Sequence, residues 1–254
     1  MGPGWRVEVL ERSPSTNAYV AGRASDGEAP GLVVVAEHQT AGRGRLDRSW
    51  VTPARAALTF SALLAPDEVP VPRWPWLPLL TGLAVVDGVR RACGVEASLK
   101  WPNDVLVGEQ KVAGILVERV ERPGGAVAVV GVGVNVSSTA AELPVPTATS
   151  LLLAGAVSTD RAVLLAAVLA GLSSRYDAWR AAGGRADAGL RSSYVDACST
   201  IGRQVRVELP VGAPLRGTAV GVDADGRLLV EDASGVHVLG AGDVVHVRPA
   251  PPGE

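Results

Sequence analysis

Residues 112–120, VAGILVERV, and 126–136, AVAVVGVGVNV, are two apolar runs separated by ERPGG. β-Branched side chains suit a pleated surface, and the Pro-Gly-Gly segment turns the second run back on the first. The pair therefore predicts a β-hairpin, which commits the chain to a sheet. Neighbouring patterns supply the rest of it. Arg6–Leu10 reads as a first strand, Gly31–Glu37 as a buried one and Ala57–Leu64 as another. Ala97–Trp101 is a further strand candidate.

Helices alternate with these strands. Ser15 or Thr16 can cap a helix running through Ala24. The Pro-rich residues 66–78 lead into an apolar helix at about Leu79–Cys93, and two more helices fill about 160–182 and 187–197. Near Thr200 the pattern changes to short strands with the turns DADG and ASG. The expectation is an α+β domain over 1–199 and a small β-barrel over 200–254. Such a barrel is either a structural cap or a lid over a ligand or partner, and composition does not separate the two.

Composition excludes several classes of function. The 254 residues are 47% hydrophobic, which suits a chain with a full core. A net charge of −2 argues against nucleic-acid binding by bulk electrostatics. Cys93 and Cys198 match no metal-ligand spacing and read as reduced thiols. The N-terminus has no apolar signal region and no apolar stretch is long enough to span a membrane, so a cytoplasmic protein is expected. His38, His237 and His246 are scattered, with no metal or triad pattern, and no G-x-S-x-G elbow marks a serine hydrolase.

Four segments carry candidate chemistry. Lys100 and Lys111 are the two lysines of a chain with 22 arginines. An ammonium is a compact point charge suited to a crowded carboxylate or phosphate oxygen, a role that a planar guanidinium fills poorly. In EHQTAGRGRLDRSW (37–50), Gly42 and Gly44 permit close backbone approach, while Arg43, Arg45 and Arg48 concentrate positive charge ahead of Trp50. A flexible loop of this kind suits a phosphate-bearing ligand, or is a solvated arginine-rich turn. In VVGVGVNV, Gly131, Gly133 and Asn135 share one strand face. The missing side chains leave room there for a flat ring or for close packing, and the Asn135 amide can both donate and accept. Finally, Ser15, Thr16 and Asn17 are three small polar residues at a strand-to-helix junction, of which helix capping explains one.

Taken in order, STN (15–17), HQTAGRGR with Trp50, KWPND (100–104), KVAGILVE (111–118), GVGVNV (131–136) and GDVVHVR (242–248) resemble the biotin–protein ligases over nearly the whole chain. The resemblance implies a class II aminoacyl-tRNA synthetase-like catalytic domain with a mixed β-sheet and flanking helices, followed by an SH3-like barrel. It implies that biotin and ATP, with Mg2+ on the nucleotide, give biotinyl-5′-adenylate and pyrophosphate. A lysine of a biotin carboxyl carrier domain then takes the biotinyl group and AMP leaves.

On the same resemblance, Lys111 bridges the biotin carboxylate and the α-phosphate, and Arg43 and Arg45 fold over the adenylate. Ser15, Thr16 and Gln39 hold the ureido ring. Asn17, Gly42, Gly44, Gly114 and Gly131 complete the biotin site. Asn135 reads adenine, Trp50 walls the nucleotide pocket, and Asn103, Arg48 and Arg248 join the nucleotide site. No resident metal is implied.

Two departures matter. Leu46 and Asp47 stand where some members carry Arg and Gly, which lowers the charge of the loop. The chain also reaches STN by residue 15, so an N-terminal helix-turn-helix and a DNA-binding role are not expected. A lipoate–protein ligase and a biotin-sensing regulator without transfer are the competing readings. Family members dimerise through edge strands, and the sequence leaves monomer and homodimer open.

Overall fold

The computed structural model describes residues 4–46, 48–186 and 188–246. In chain order the elements are β1 (Arg6–Leu10), α1 (Thr16–Ser25), β2 (Leu32–Ala36), β3 (Gly42–Arg43), β4 (Ser49–Trp50) and β5 (Ala57–Leu64). They continue with α2 (Trp76–Cys93), β6 (Ser98–Lys100), β7 (Asp104–Val107), β8 (Gln110–Val120), β9 (Val127–Asn135), α3 (Arg161–Ala181) and α4 (Ala188–Ala197). The C-terminal strands are β10 (Gln204–Glu208), β11 (Leu215–Val222), β12 (Leu228–Asp232), β13 (Gly235–Leu239) and β14 (Asp243–His246).

The expected hairpin sits inside a seven-stranded sheet of order β1-β2-β5-β9-β8-β7-β6. β8 and β9 pair antiparallel from Ala113↔Val134 to Val120↔Val127. The β1–β2 pair is parallel and the other pairs are antiparallel, so the sheet is mixed. Helices cover both faces. The even-numbered β9 residues Ala128, Val130, Val132 and Val134 pack in a large core that includes side chains of α2, α3 and α4. The odd-numbered Val127 and Val129 pack with Val20 and Ala24 of α1 in a second, smaller core. Beyond Val129 the odd positions are Gly131, Gly133 and Asn135, and there the α1 face of the sheet opens into a cavity.

Local sequence accounts for the helix ends. The Ser15 side chain accepts from Ala18 N, and Asp160 accepts from Ala162 N and Val163 N at the start of α3. α2 ends on Gly94 at φ 67°, a left-handed position that favours glycine. α2 begins at Trp76 rather than at the expected Leu79. Pro78 then lies in its first turn, where the missing N–H has no intrahelical acceptor to lose. β7 is a strand that the sequence pattern does not predict, because VLV is short and WPND before it reads as a turn. The two cysteines are free, as expected, and both are buried.

The C-terminal strands form an antiparallel sheet of order β13-β12-β11-β10-β14, an open SH3-like barrel. Its buried Val205, Val207, Ala219, Leu228, Val230 and Val244 merge with the main core. Two indoles, one at the start of α2 and one just after β6, fasten it to the rest of the protein. Trp76 Nε1 donates to Ala224 O at 2.8 Å and Trp101 Nε1 to Gly226 O at 3.1 Å. Among the described residues, no helix is long and apolar enough to cross a membrane.

Candidate active site

A cavity of about 1530 Å³ runs along the α1 face of β9 and beneath the barrel. It brings together Ser15, Thr16, Asn17, Gln39, Arg43, Gly44, Arg45, Arg48, Trp50, Asn103, Lys111, Gly114, Gly131 and Asn135 from the residues singled out by sequence. Gly42 lines an adjoining pocket with Gln39 and Trp50. Arg248 lies outside the described residues, as does Asp47.

The first end of the cavity is polar and buried. Ser15 is the helix cap, so one of the three consecutive polar residues is explained by capping. Thr16 and Asn17 have different partners. Thr16 N donates to Gln39 Oε1 at 2.9 Å, and Thr16 Oγ1 lies 3.1 Å from the same oxygen. The Asn17 amide nitrogen donates to Leu116 O and to Glu118 Oε2. Gly131 has no side chain because Asn17 occupies that space: a Cβ there would overlap the Asn17 carboxamide. The polar atoms of Asn17 are thus engaged by the protein itself, a difference from the direct ligand contact that the resemblance implies.

Lys111 stands at the middle. Val105 pairs with Ala113 but Leu106 pairs with Lys111, so Val112 is an extra residue, a β-bulge. Without the bulge, alternation would put Val112 on the face of Gly114 and Leu116. With it, Val112 is buried and Lys111 takes the cavity side. Lys111 Nζ lies 2.5 Å from Asp104 Oδ1 and 5.8 Å from the Trp50 ring centroid. A Cβ on Gly114 would stand 3.2 Å from Nζ, so a larger residue there would crowd the ammonium. At Gly133 the space is taken up by close packing, with the protein's own Trp50 ring against the strand. A Gly133 Cβ would lie 2.5 Å from the Trp50 ring. Trp50 Nε1 is buried and has no hydrogen-bond partner.

The third part of the site is cationic. Gly42–Arg43 and Ser49–Trp50 pair as a small hairpin, with Gly42 opposite Trp50 and Arg43 opposite Ser49. Gly42 packs so closely on Gln39 and the Trp50 carbonyl that a Cβ would not fit. Arg45 Nη1 donates to Asn103 Oδ1 at 3.2 Å and to Gly242 O at 3.4 Å, and Arg48 pairs with Asp243. Burial lowers the Arg45 guanidinium from its ordinary value, with Asp243 and Asp104 opposing. Burial would raise the Asp243 carboxyl, but the hydrogen bond and charge of Arg48, with Lys100 and Arg45, hold it below the usual range. One Asn135 amide N–H is committed to Thr149 O at 2.9 Å, so its capacity to donate to a ligand is reduced.

Sequence reasoning missed several cavity residues. Asp104 and Asp243 lie inside the motifs given above, with no role expected of them. Arg203 and His246 also line the cavity, from the barrel side, together with Lys100, which the sequence singles out with Lys111. The barrel therefore closes over the site, which composition leaves open. Burial lowers the His246 imidazole, with Lys100 and Arg203 acting the same way and Glu109 opposing. Thr59 and Ser61 are legible as polar residues at alternate positions of an apolar strand. Both are buried, and Thr59 lines the cavity.

The mixed sheet, the cavity along its glycine strand and the appended barrel define a class II synthetase-like ligase with a C-terminal SH3-like domain. The chain belongs to the biotin/lipoate A/B protein ligase family, whose profile matches residues 9–135. Residues 200–247 match the biotin protein ligase C terminal domain.

Among curated relatives, the biotin–[acetyl-CoA-carboxylase] ligase of Mycobacterium tuberculosis is 43% identical over 252 residues, covering 97% of this chain and 91% of that protein. The bifunctional ligase/repressor BirA of Bacillus subtilis is 33% identical over 235 residues, which is 91% of this chain and 71% of that one. Among solved structures, the Aquifex aeolicus biotin protein ligase in complex with biotin and ATP superposes with a TM-score of 0.81 at 28% identity, covering 96% of this chain and 99% of that one.

Proposed function

We propose that this protein is a biotin–[acetyl-CoA-carboxylase] ligase, which uses ATP to attach biotin to a lysine of a biotin carboxyl carrier domain through biotinyl-5′-adenylate. The observation that carries the reading is the bulge that turns Lys111 into the middle of the cavity, between a buried polar end and a cluster of guanidinium groups. A carboxylate and a phosphate repel each other, and a point cation placed between them removes that obstacle. The 43% identity to a biotin–[acetyl-CoA-carboxylase] ligase supports the same assignment.

In the first step a biotin carboxylate oxygen attacks the α-phosphorus, and the bond to the bridging oxygen breaks to release pyrophosphate. Lys111 neutralises both anions, and Asp104 holds the ammonium in place. Ser15, Thr16 and Gln39 bind the ureido ring, with Asn17 packed behind them. Gly114 leaves room for the Lys111 ammonium and Gly131 for the Asn17 carboxamide, and Gly42 and Gly44 let the hairpin lie close over the site. Arg43, Arg45 and Arg48 face the phosphates and Asn103 steadies Arg45. Trp50 lies beside the base, packed on Gly133. Asn135 offers its amide oxygen to adenine, and Arg248 joins the nucleotide contacts. In the second step the acceptor lysine amine attacks the mixed anhydride, its proton is lost, and the C–O bond to AMP breaks.

Mg2+ enters with the nucleotide. Among the described residues no group of three or more His, Cys, Asp or Glu side chains could hold a metal, so the donor set fits an ion carried by phosphate oxygens. The ion supplies added charge neutralisation when bound.

We assign residues 1–199 to the catalytic domain and 200–254 to the barrel, a division supported by the two separate sheets. The protein acts in the cytoplasm, where ATP is available, without contacting DNA or membrane. The edge strand β1, with Val7 and Val9 exposed, is where a homodimer would pair. A lipoate ligase is less well supported, because a dithiolane ring has no groups to satisfy the buried polar end. The test is pyrophosphate release with ATP and either biotin or lipoate, with and without a carrier domain. Release with biotin and labelling of the carrier are expected. Release with lipoate alone would refute the assignment, and adenylation without transfer would indicate a regulator.

A further inference from the structure

Glu118 and Ser61 take no part in the chemistry above, yet both stand behind the polar end of the cavity. Glu118 follows Gly114 and Leu116 at alternate positions of β8, so all three share one face. Asn17 fills the space beside it that Gly131 leaves. Its amide nitrogen gives one N–H to Leu116 O at 3.2 Å and the other to Glu118 Oε2 at 2.6 Å. A main-chain carbonyl and an ionised carboxylate accept and cannot donate, so the amide has a single orientation.

The rest of the polarity follows from counting protons. Asn17 Oδ1 is left 2.5 Å from Ser61 Oγ, and an amide oxygen only accepts. Ser61 therefore spends its one proton on Asn17. Thr16 Oγ1 lies 2.7 Å from Ser61 Oγ, which has no proton left for it, and 3.1 Å from Gln39 Oε1, so its own proton goes to one of these two acceptors. Gln39 Oε1 is served by Thr16 N–H at 2.9 Å. With its proton spent inward, Thr16 Oγ1 meets a ligand as an acceptor, while Gln39 Nε2 remains a donor. A cyclic urea offers N–H donors to the first and a carbonyl to the second.

We propose that Glu118 is a positioning residue for substrate selection: acting through Asn17 and Ser61, it sets the hydrogen-bond polarity of the pocket for a cyclic urea. The proposal rests on the ligase reading above. Without the carboxylate, the weaker contact to Leu116 O alone orients the Asn17 amide, which can then turn over and present N–H to Ser61. The Ser61 proton is then free to turn to Thr16 Oγ1, where it competes with the ligand for that acceptor. The loss falls on urea binding and spares the phosphate chemistry at Lys111.

The experiment compares wild type with Glu118→Leu, Glu118→Gln and Ser61→Ala in pyrophosphate release, varying biotin, desthiobiotin and ATP in turn. Desthiobiotin keeps the urea and lacks the sulfur ring. Glu118→Leu is expected to raise KM for both acids by the same factor, about tenfold or more, as for a lost bond to a charged group. The KM for ATP and kcat stay within about threefold of wild type on this expectation, since neither depends on the urea. Glu118→Gln still offers an amide oxygen to Asn17 and should stay within about threefold of wild type in all constants.

Ser61→Ala interrupts the same relay and should reproduce the rise in KM, which keeps the test available if Glu118→Leu does not fold. An unchanged KM for biotin in both Glu118→Leu and Ser61→Ala would overturn the proposal. So would an equal loss for ATP, or Glu118→Gln behaving like Glu118→Leu. Failure of the wild type itself to adenylate biotin would overturn the ligase reading, and the urea assignment with it.

Discussion

Replacing Lys111 by alanine separates the catalytic from the structural role of its ammonium. Its ion pair with Asp104 is 2.5 Å long, and the two side chains are 36% and 20% exposed. Solvent screens such a pair, so its removal should cost about 1–2 kcal/mol of stability, between the exposed and fully buried cases. For a chain of this size that corresponds to a fall in Tm of roughly 2–8 °C. The loss of a cation that serves the transition state is larger, about 10²–10³ in rate.

The assay is single-turnover pyrophosphate release with saturating biotin and ATP, alongside a thermal melt. Lys111→Arg should also be slow, because a planar fork does not fit the space bounded by Trp50, Gly114 and Asp104. Release by Lys111→Ala within about threefold of wild type would refute the assignment, since a transition-state contact is worth far more. A fall in Tm above about 15 °C would mean that Lys111 matters chiefly to the fold.

Gly133→Ala would place a Cβ 2.5 Å from the Trp50 ring, so the indole must move by about 1 Å to regain ordinary contact. KM for ATP should rise more than KM for biotin in steady-state assays, and equal rises would contradict the placing of Trp50 beside the base. Asp243→Asn weakens the tie between Arg48 and the barrel. Amides 42–46 should then exchange faster without ligand, and unchanged exchange would show that the tie does not hold the hairpin. Arg45→Gly removes the bonds to Asn103 and Gly242 and should release adenylate that labels albumin, whereas labelling no faster than wild type would deny that role. The folded-state pKa of His246 lies below its ordinary 6.5, so the unfolded chain takes up the proton first as pH falls. Its contribution to stability is complete above that value and is lost as pH drops through the folded pKa. The fall in Tm from about pH 7 to pH 5 should therefore be smaller in His246→Gln, and an equal fall would exclude His246 as a source.

Much of this protein was determined by local pattern. The β8–β9 hairpin, the capped α1 and the shift to short strands after Thr200 follow from residue types over a few positions, because turns, caps and two-residue alternation are local properties. The same locality placed Gly131, Gly133 and Asn135 on one face and marked Lys111 as an unusual cation. Tertiary structure decided what those positions do. The Val112 bulge depends on the pairing of β8 with β7, a strand that pattern did not reveal, and it alone turns Lys111 into the cavity. Trp50 covers Gly133 from 83 residues away in the chain because the β3–β4 hairpin folds across the sheet. Asp243 meets Arg48 because the barrel docks there. Contacts between distant segments depend on how whole sheets and helices pack, and no short stretch of sequence carries that information.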